Sequence, residues 1–226
     1  MTKKVLHPNH AKVPENFCRL PDGYGVAKIG VSGSADTTYS GLEAFEKAKE
    51  LGREIAKAGA IVTTGATTGF PMYAALGAKD ECGFSIGFSP AATEREHVET
   101  YKLPLDYMDV VVYTGFGYSG RDLILVRSCD AIVIGPGRIG TLNEFAVAFE
   151  DRRPIGILEG DWKTAEFLRE IIEAAHRPNG NVIYDADPKA IVERLLEKVQ
   201  KQKEKDLVYQ NHDGWSATGK NAEVIL

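Results

Sequence analysis

The sequence predicts an α/β protein built on a doubly wound, mainly parallel sheet of six or seven strands with helices on both faces. Three observations lead there. Short apolar runs alternate with longer segments of helical period, as in successive βαβ units. Turns rich in glycine and hydroxyl residues follow several of the runs. Hydrophobic residues make up 43% and charged residues 26% of the 226 positions, the balance of a soluble globular chain rather than a disordered or membrane-embedded one.

Residues 1–24 carry Pro8, Pro14 and Pro21 among polar residues and read as an irregular arm. A single domain is then expected over 25–205, with a polar tail over 206–226, because doubly wound sheets often reach this length without dividing. Val26–Ser32 reads as the first strand. The segment Leu42–Ala58 places Phe45, Ala48, Leu51, Ile55 and Ala58 on one helical face, and Gly59 ends it. Ala60–Thr64 is the next strand, Pro71–Lys79 a helix, Phe84–Phe88 a strand and Val110–Tyr113 another. A short helix is expected at Leu123–Arg127, followed by a strand over Ala131–Ile134 and a helix over Leu142–Asp151. Ile155–Leu158, Thr164–Ala175, Val182–Tyr184 and Pro188–Val199 complete the alternation as strand, helix, strand and helix. The last helix presents Ile191, Val192, Leu195, Leu196 and Val199 on one side, enough to cover a sheet face. The charged run Lys198–Asp206 reads as a solvated face or frayed end.

The net charge of −5 argues against salt-dependent attraction to nucleic acid or to an anionic bilayer, so any phosphate must be held locally. No window approaches the apolar length of a membrane span, and the first residues lack the apolar stretch of a secretory signal; a cytoplasmic protein is expected. Cys18, Cys82 and Cys129 are far apart, suggesting neither a disulfide framework nor a zinc site, and Cys129 reads as a buried thiol. His7 and His10 lie in the proline-containing arm without companion ligands, so no metal is expected. His97, among Glu94, Arg95, Glu96 and Glu99, reads as an exposed loop histidine within a Ser89–Leu103 loop long enough to act as a lid. Trp162 and Trp215 read as packing residues.

In doubly wound sheets ligands bind beyond the carboxyl ends of the strands, which directs attention to the turns there. Ser32-Gly33-Ser34 follows the first strand, Gly65-Ala66-Thr67-Thr68-Gly69 the second, and Gly135-Pro136-Gly137-Arg138-Ile139-Gly140-Thr141 the strand ending at Ile134. Glycine admits close approach, hydroxyls donate to phosphate oxygens, and a helix N-terminus offers unpaired N–H groups with partial positive charge. The third turn also satisfies G-x-G-x-x-G, with Glu159 about 20 residues further on as in dinucleotide fingerprints. Taken alone that match is weak: Pro136 and Arg138 crowd the pyrophosphate positions, and the motif follows the fifth strand rather than the first.

The longer stretch from Gly120-Arg121-Asp122 through Arg127-Ser128-Cys129-Asp130 to Pro136-Gly137-Arg138-Ile139-Gly140-Thr141-Leu142-Asn143-Glu144 resembles the signature of the Rossmann-like Lonely Guy (LOG, or lysine decarboxylase-like) superfamily. Its wording is nearest to the molybdenum-cofactor-carrier-like branch. By this resemblance Arg121 and Glu144 fall at catalytic positions, while Gly137, Gly140 and Thr141 match the phosphate-cradling residues. Ser32, Gly33, Ser34, Gly65, Thr67, Thr68, Gly69 and Arg138 complete the expected phosphate or nucleotide site. Two residues depart from the family pattern: Arg138 replaces the second glycine of P-G-G, and Asp122 stands where a basic residue is common. Arg138 adds a phosphate donor or blocks the pocket.

The resemblance implies hydrolysis of the N-glycosidic bond of a nucleoside 5′-monophosphate. Glu144 would stabilise an oxocarbenium-like sugar and orient water, and Arg121 would hold phosphate, ribose or the glutamate itself. The alternative is a non-catalytic carrier or sensor of a nucleotide or molybdopterin-type ligand. Neither reading requires a resident cofactor, no residue pattern identifies a pyridoxal phosphate lysine, and the resemblance implies a homodimer or larger homo-oligomer. Locally, Thr141-Leu142-Asn143-Glu144 also reads as a capping box in which Glu144 serves its own helix. Arg127 reads as a surface or structural pair.

Overall fold

The computed structural model describes residues 25–36, 41–177 and 181–212. Within them the strands are β1 (Lys28–Ser32), β2 (Ile61–Thr64), β3 (Ser85–Ser89), β4 (Val110–Tyr113), β5 (Ala131–Ile134), β6 (Ile155–Leu158) and β7 (Val182–Asp185). The helices are α1 (Gly41–Lys57), α2 (Phe70–Asp80), α3 (Gly117–Ser128), α4 (Ile139–Glu150), α5 (Thr164–Ala174) and α6 (Pro188–His212), with a π-helical turn over Glu96–Thr100. The described strands form one sheet in the order β4-β3-β2-β1-β5-β6-β7, and every pairing in it is parallel.

With right-handed crossovers, that order fixes which face of the sheet each helix covers. From β1 the chain steps outward through β2, β3 and β4, returns by α3 to β5 beside β1, and then steps the other way. Right-handed crossovers in opposite directions place their helices on opposite faces. Ile29 and Val31 of β1 and Ala131 and Val133 of β5 face a core shared with α1, α2 and α6. Ile132 and Ile134 face the other core, with Phe145 and Ala148 of α4 and Leu168 and Ile172 of α5. Strand β5 is therefore buried on both sides and reads as a continuous apolar run. The reversal of direction leaves a crevice at the carboxyl ends of β1 and β5, where doubly wound sheets take their ligands.

Several boundaries move. Helix α3 begins at Gly117, six residues before the expected start, because Tyr118, Gly120 and Arg121 lack the apolar periodicity used to place it. Helix α6 runs through Lys198–Asp206 to His212, so the charged run is a helical face and the expected tail begins inside a helix. The arm with Cys18, His7 and His10, and the tail with Trp215 and Val224-Ile225-Leu226, lie outside the described residues. Among the described residues no helix is long and apolar enough to cross a membrane.

The floor of the sheet is held by Asp130, buried just before β5. Its Oδ2 accepts from both the backbone N and the Nζ of Lys28, each at 2.9 Å, and its Oδ1 lies 3.1 Å from Lys203 Nζ of α6. Burial pushes this carboxyl upward, but the Lys28 hydrogen bonds and charge outweigh that and hold it below the usual range. A depressed folded value stabilises the fold above the ordinary carboxylate pKa, and the gain is lost as pH falls through the folded value. Asp130→Asn is therefore expected to lower stability at pH 7 by about 1–3 kcal/mol. In urea unfolding the gap from wild type should close as the pH falls below about 4; a gap independent of pH would contradict this assignment.

Candidate functional site

Two turns meet at the crevice because Phe70, fully buried at the start of α2, lies beneath both. A Cβ on Gly33 would stand 2.6 Å from its ring and one on Gly135 2.4 Å, so only glycine lets the chain pass there on either side. Ser34 N donates to Pro136 O at 2.6 Å and Gly135 N to Ser32 O at 2.9 Å, stitching the turns together; Phe70 N in turn donates to Ser34 O. Above this junction opens a cavity of about 220 Å3.

One end of the cavity is the amino end of α4. Arg138 is the residue before the helix, no side chain caps it, and Gly140 and Thr141 line the space. The first N–H groups of a helix have no partner within it, and they carry the positive end of its dipole. Nothing lies within 4 Å of a Cβ built on Gly140. Ser34, Gly33 and Arg138 flank this end, with Arg138 Nη1 3.6 Å from Asp36 Oδ2. Such a helix end is chemically suited to an anion.

The other end is lined by Gly65, Thr67, Tyr118, Arg121, Asp122 and Glu144. Arg121 lies across Gly65, where a Cβ would stand 1.4 Å from its Nη1. Its Nη1 is 4.0 Å from Glu144 Oε1, too far for a hydrogen bond, and its Nε is 3.3 Å from Asp122 Oδ1 yet forms no hydrogen bond. Ser32 Oγ donates to Glu144 Oε2, and Asn143 Nδ2 donates to Asp122 Oδ2 at 3.0 Å. Burial pushes the Glu144 carboxyl up to about 7, since Arg121 and Ser32 only partly offset desolvation and Asp122 adds to it. Burial likewise raises Asp122, against the pull of Asn143 and Arg121.

The expected residues divide accordingly. Gly33, Ser34, Gly65, Thr67, Arg121, Arg138, Gly140, Thr141 and Glu144 come together around the cavity. Ser32 stands behind it as the partner of Glu144, Thr68 Oγ1 donates to Ala35 O, and Gly69 turns the chain with φ of 72°. Gly137 does not face this cavity: its N–H donates to Thr164 Oγ1 at 3.1 Å, because the loop into α5 packs on its outer side. The capping box is not formed. With α4 starting at Ile139, Thr141 is already inside the helix, and the Glu144 carboxylate turns to Ser32.

Tyr118 was not singled out by the sequence. Three residues before Arg121 it shares that face of α3, a signal available once the helix is extended backward. Its ring lies 5.8 Å from the Arg121 guanidinium and meets Tyr101 edge-on at 5.5 Å, which ties the Ser89–Leu103 loop to the cavity. In that loop His97 is fully buried, contrary to expectation, with Nδ1 2.8 Å from Ser89 Oγ and Nε2 2.9 Å from Pro104 O. The charged neighbours occupy the solvated side of the π-helical turn and His97 its inner side. Arg127 pairs with Asp151 at 2.9 Å, and Glu159 pairs with Arg169, away from any fingerprint role. Among the described residues no cluster of three or more His, Cys, Asp or Glu side chains is placed to hold a metal ion.

Residues 26–192 match the SLOG cluster4 family. An uncharacterized protein of Archaeoglobus fulgidus is 27% identical over 132 residues, 58% of this chain and 80% of its own length. Among solved structures, the molybdenum cofactor binding protein of the phototrophic bacterium Rippkaea orientalis is 27% identical with a TM-score of 0.63, covering 76% of this chain and 97% of that one. The molybdenum cofactor carrier protein of Chlamydomonas reinhardtii is 30% identical with a TM-score of 0.60, covering 76% and 99%. DNA processing protein A of Helicobacter pylori, described as binding single-stranded DNA, is 17% identical with a TM-score of 0.56 over 76% of this chain and 81% of that one, a likeness of fold alone.

Glu144 gives this geometry a pH signature. Between the ordinary carboxylate value and about 7 the folded protein holds a proton that the unfolded chain has lost, so stability falls as pH rises across that window and levels off above it. Glu144→Gln removes the ionisable group and is expected to exceed wild type in stability at pH 8, by on the order of 3 kcal/mol, with the difference vanishing by pH 4. Equal stability of the two proteins at pH 8 would contradict a raised proton affinity at Glu144.

Proposed function

The chain belongs to the SLOG cluster4 family, and on that premise we propose that it binds and holds a phosphate-bearing pterin of the molybdopterin type, or a nucleotide of similar shape, as cargo. The observation that carries the reading is the cavity at the β1–β5 crevice: an uncapped helix end for the phosphate at one side, and buried hydrogen-bonding side chains for a polar heterocycle or sugar at the other. The molybdenum cofactor binding and carrier proteins that resemble this chain over 97% or more of their length support the same choice. In this reading the first N–H groups of α4 with Ser34 and Arg138 hold the phosphate, while Thr67, Arg121 and Asp122 face the remainder of the ligand. Ser32 keeps Glu144 turned in.

A second reading, hydrolysis of a nucleoside 5′-monophosphate as implied by the LOG resemblance, rests on one observation. Glu144 beside Arg121 has a proton affinity near neutrality, suited to acid–base work. The neighbours' descriptions lend this reading no support.

GMP, which presents a 5′-phosphate and a 2-amino-4-oxo ring, serves as probe for both. By titration calorimetry wild type is expected to bind it, and Gly140→Asp to weaken binding at least about tenfold, because a carboxylate placed in the open space before α4 repels the phosphate. Unchanged affinity in Gly140→Asp would remove the phosphate from this end. Chromatography of the same mixtures separates the two readings: cargo is recovered intact, whereas hydrolysis releases guanine at a rate that Glu144→Gln should lower at least about a hundredfold.

A further inference from the structure

On the outer side of the Pro136-Gly137-Arg138 loop lies a second space, a cleft of about 730 Å3 between that loop and the start of α5. Ser34 and Arg138 line both spaces, so the two adjoin. Their sizes decide how they are used. Pockets that enclose a nucleotide-sized ligand run to about 300–1,000 Å3, and the first cavity, at about 220 Å3, falls short of that by itself. The cleft lies within that range.

The cleft brings together aromatic, basic and acidic side chains. Trp162, as expected a packing residue, forms the base of the cleft: its ring packs on the core and close against Gly160, with Lys47 Nζ 5.6 Å from the ring centroid and its Nε1 donating to Leu158 O at 3.1 Å. Phe167, on the first turn of α5, is 50% exposed, an aromatic surface left open at the cleft. Arg138 stands at the junction, with 65% of its side chain exposed, and Lys163 lies at the entry to α5. Asp161, Glu166 and Glu170 supply carboxylates that accept hydrogen bonds from ribose hydroxyls or exocyclic amines. The open face of Phe167 can accept a planar base, and a guanidinium at the junction fits a phosphate bidentately.

We propose that the cleft is a second subsite and that the ligand has two parts: two planar heterocyclic units joined through a pyrophosphate. One unit occupies the first cavity, the pyrophosphate passes Arg138, and the second unit rests against Phe167. This differs from the dinucleotide fingerprint, in which the pyrophosphate lies over the glycines and an acidic residue in the place of Glu159 takes the ribose. Here Gly137 N is committed to Thr164 and Glu159 to Arg169. Arg138, the departure from the P-G-G pattern, thus becomes the residue that admits the longer ligand.

The inference rests on the proposed phosphate site, and two probes keep the claims apart: GMP, and diguanosine 5′,5′-pyrophosphate. Wild type is expected to bind the dinucleotide at least about tenfold more tightly than GMP, the worth of one stacked base. Phe167→Ser, at a half-exposed position, is expected to erase that advantage while leaving GMP affinity and melting temperature unchanged. Equal affinity of wild type for both probes overturns the second subsite and leaves the first site standing. An equal loss for both probes in Phe167→Ser also overturns it, since the two spaces would then act as one. Failure of wild type to bind either probe overturns the subsite together with the reading beneath it.

Discussion

The site depends on the close approach of two turns over one aromatic ring. Phe70 fills the space below the crevice so completely that neither Gly33 nor Gly135 has room for a Cβ, and the hydrogen bonds from Ser34 to Pro136 and from Gly135 to Ser32 hold the turns at that spacing. From this contact the rest follows. It sets the amino end of α4 against the end of β1, brings Ser32 to Glu144 across the junction, and leaves above it a cavity lined by the start of α4 and by Arg121, Asp122 and Glu144. The rigid base is the pair of central strands, buried on both faces and pinned below by Asp130.

Within the cavity, desolvation decides the chemistry. A buried carboxylate close to a guanidinium is ordinarily held ionised, but at 4.0 Å Arg121 makes no hydrogen bond to Glu144, and Asp122 divides its attention. Burial prevails, and Glu144 sits near neutrality. In the proposed carrier such a group would serve either partner: ionised it accepts from an amine edge or a hydroxyl, and protonated it tolerates a neighbouring phosphate. Holding a cargo that carries both kinds of group needs that tolerance and no bond cleavage.

Much of this was legible in the chain. Strands buried on both faces write themselves as short apolar runs, and the glycine-rich turns after β1, β2 and β5 marked the edge at which Arg121, Glu144, Gly140 and Thr141 gather. What stayed hidden depends on partners distant in sequence. Nothing near Gly137 reveals that Thr164 takes its N–H, and nothing near Glu144 names Ser32, 112 positions earlier. His97 sits in so charged a segment that local composition pointed outward, while Ser89 and Pro104 draw it in. The capping box is the instructive case: the pattern was present, but α4 begins three residues too early for it to form.

The central claim is that the protein retains a phosphate-bearing heterocycle intact. Native mass spectrometry of the protein isolated from a host that makes molybdopterin tests it most directly, with tandem dissociation of any bound species. The account predicts an added mass that dissociates to a phosphorylated pterin or nucleotide and that is unaltered after prolonged incubation. Protein carrying no such mass, or a bound species that decays to free base and sugar phosphate, would contradict it.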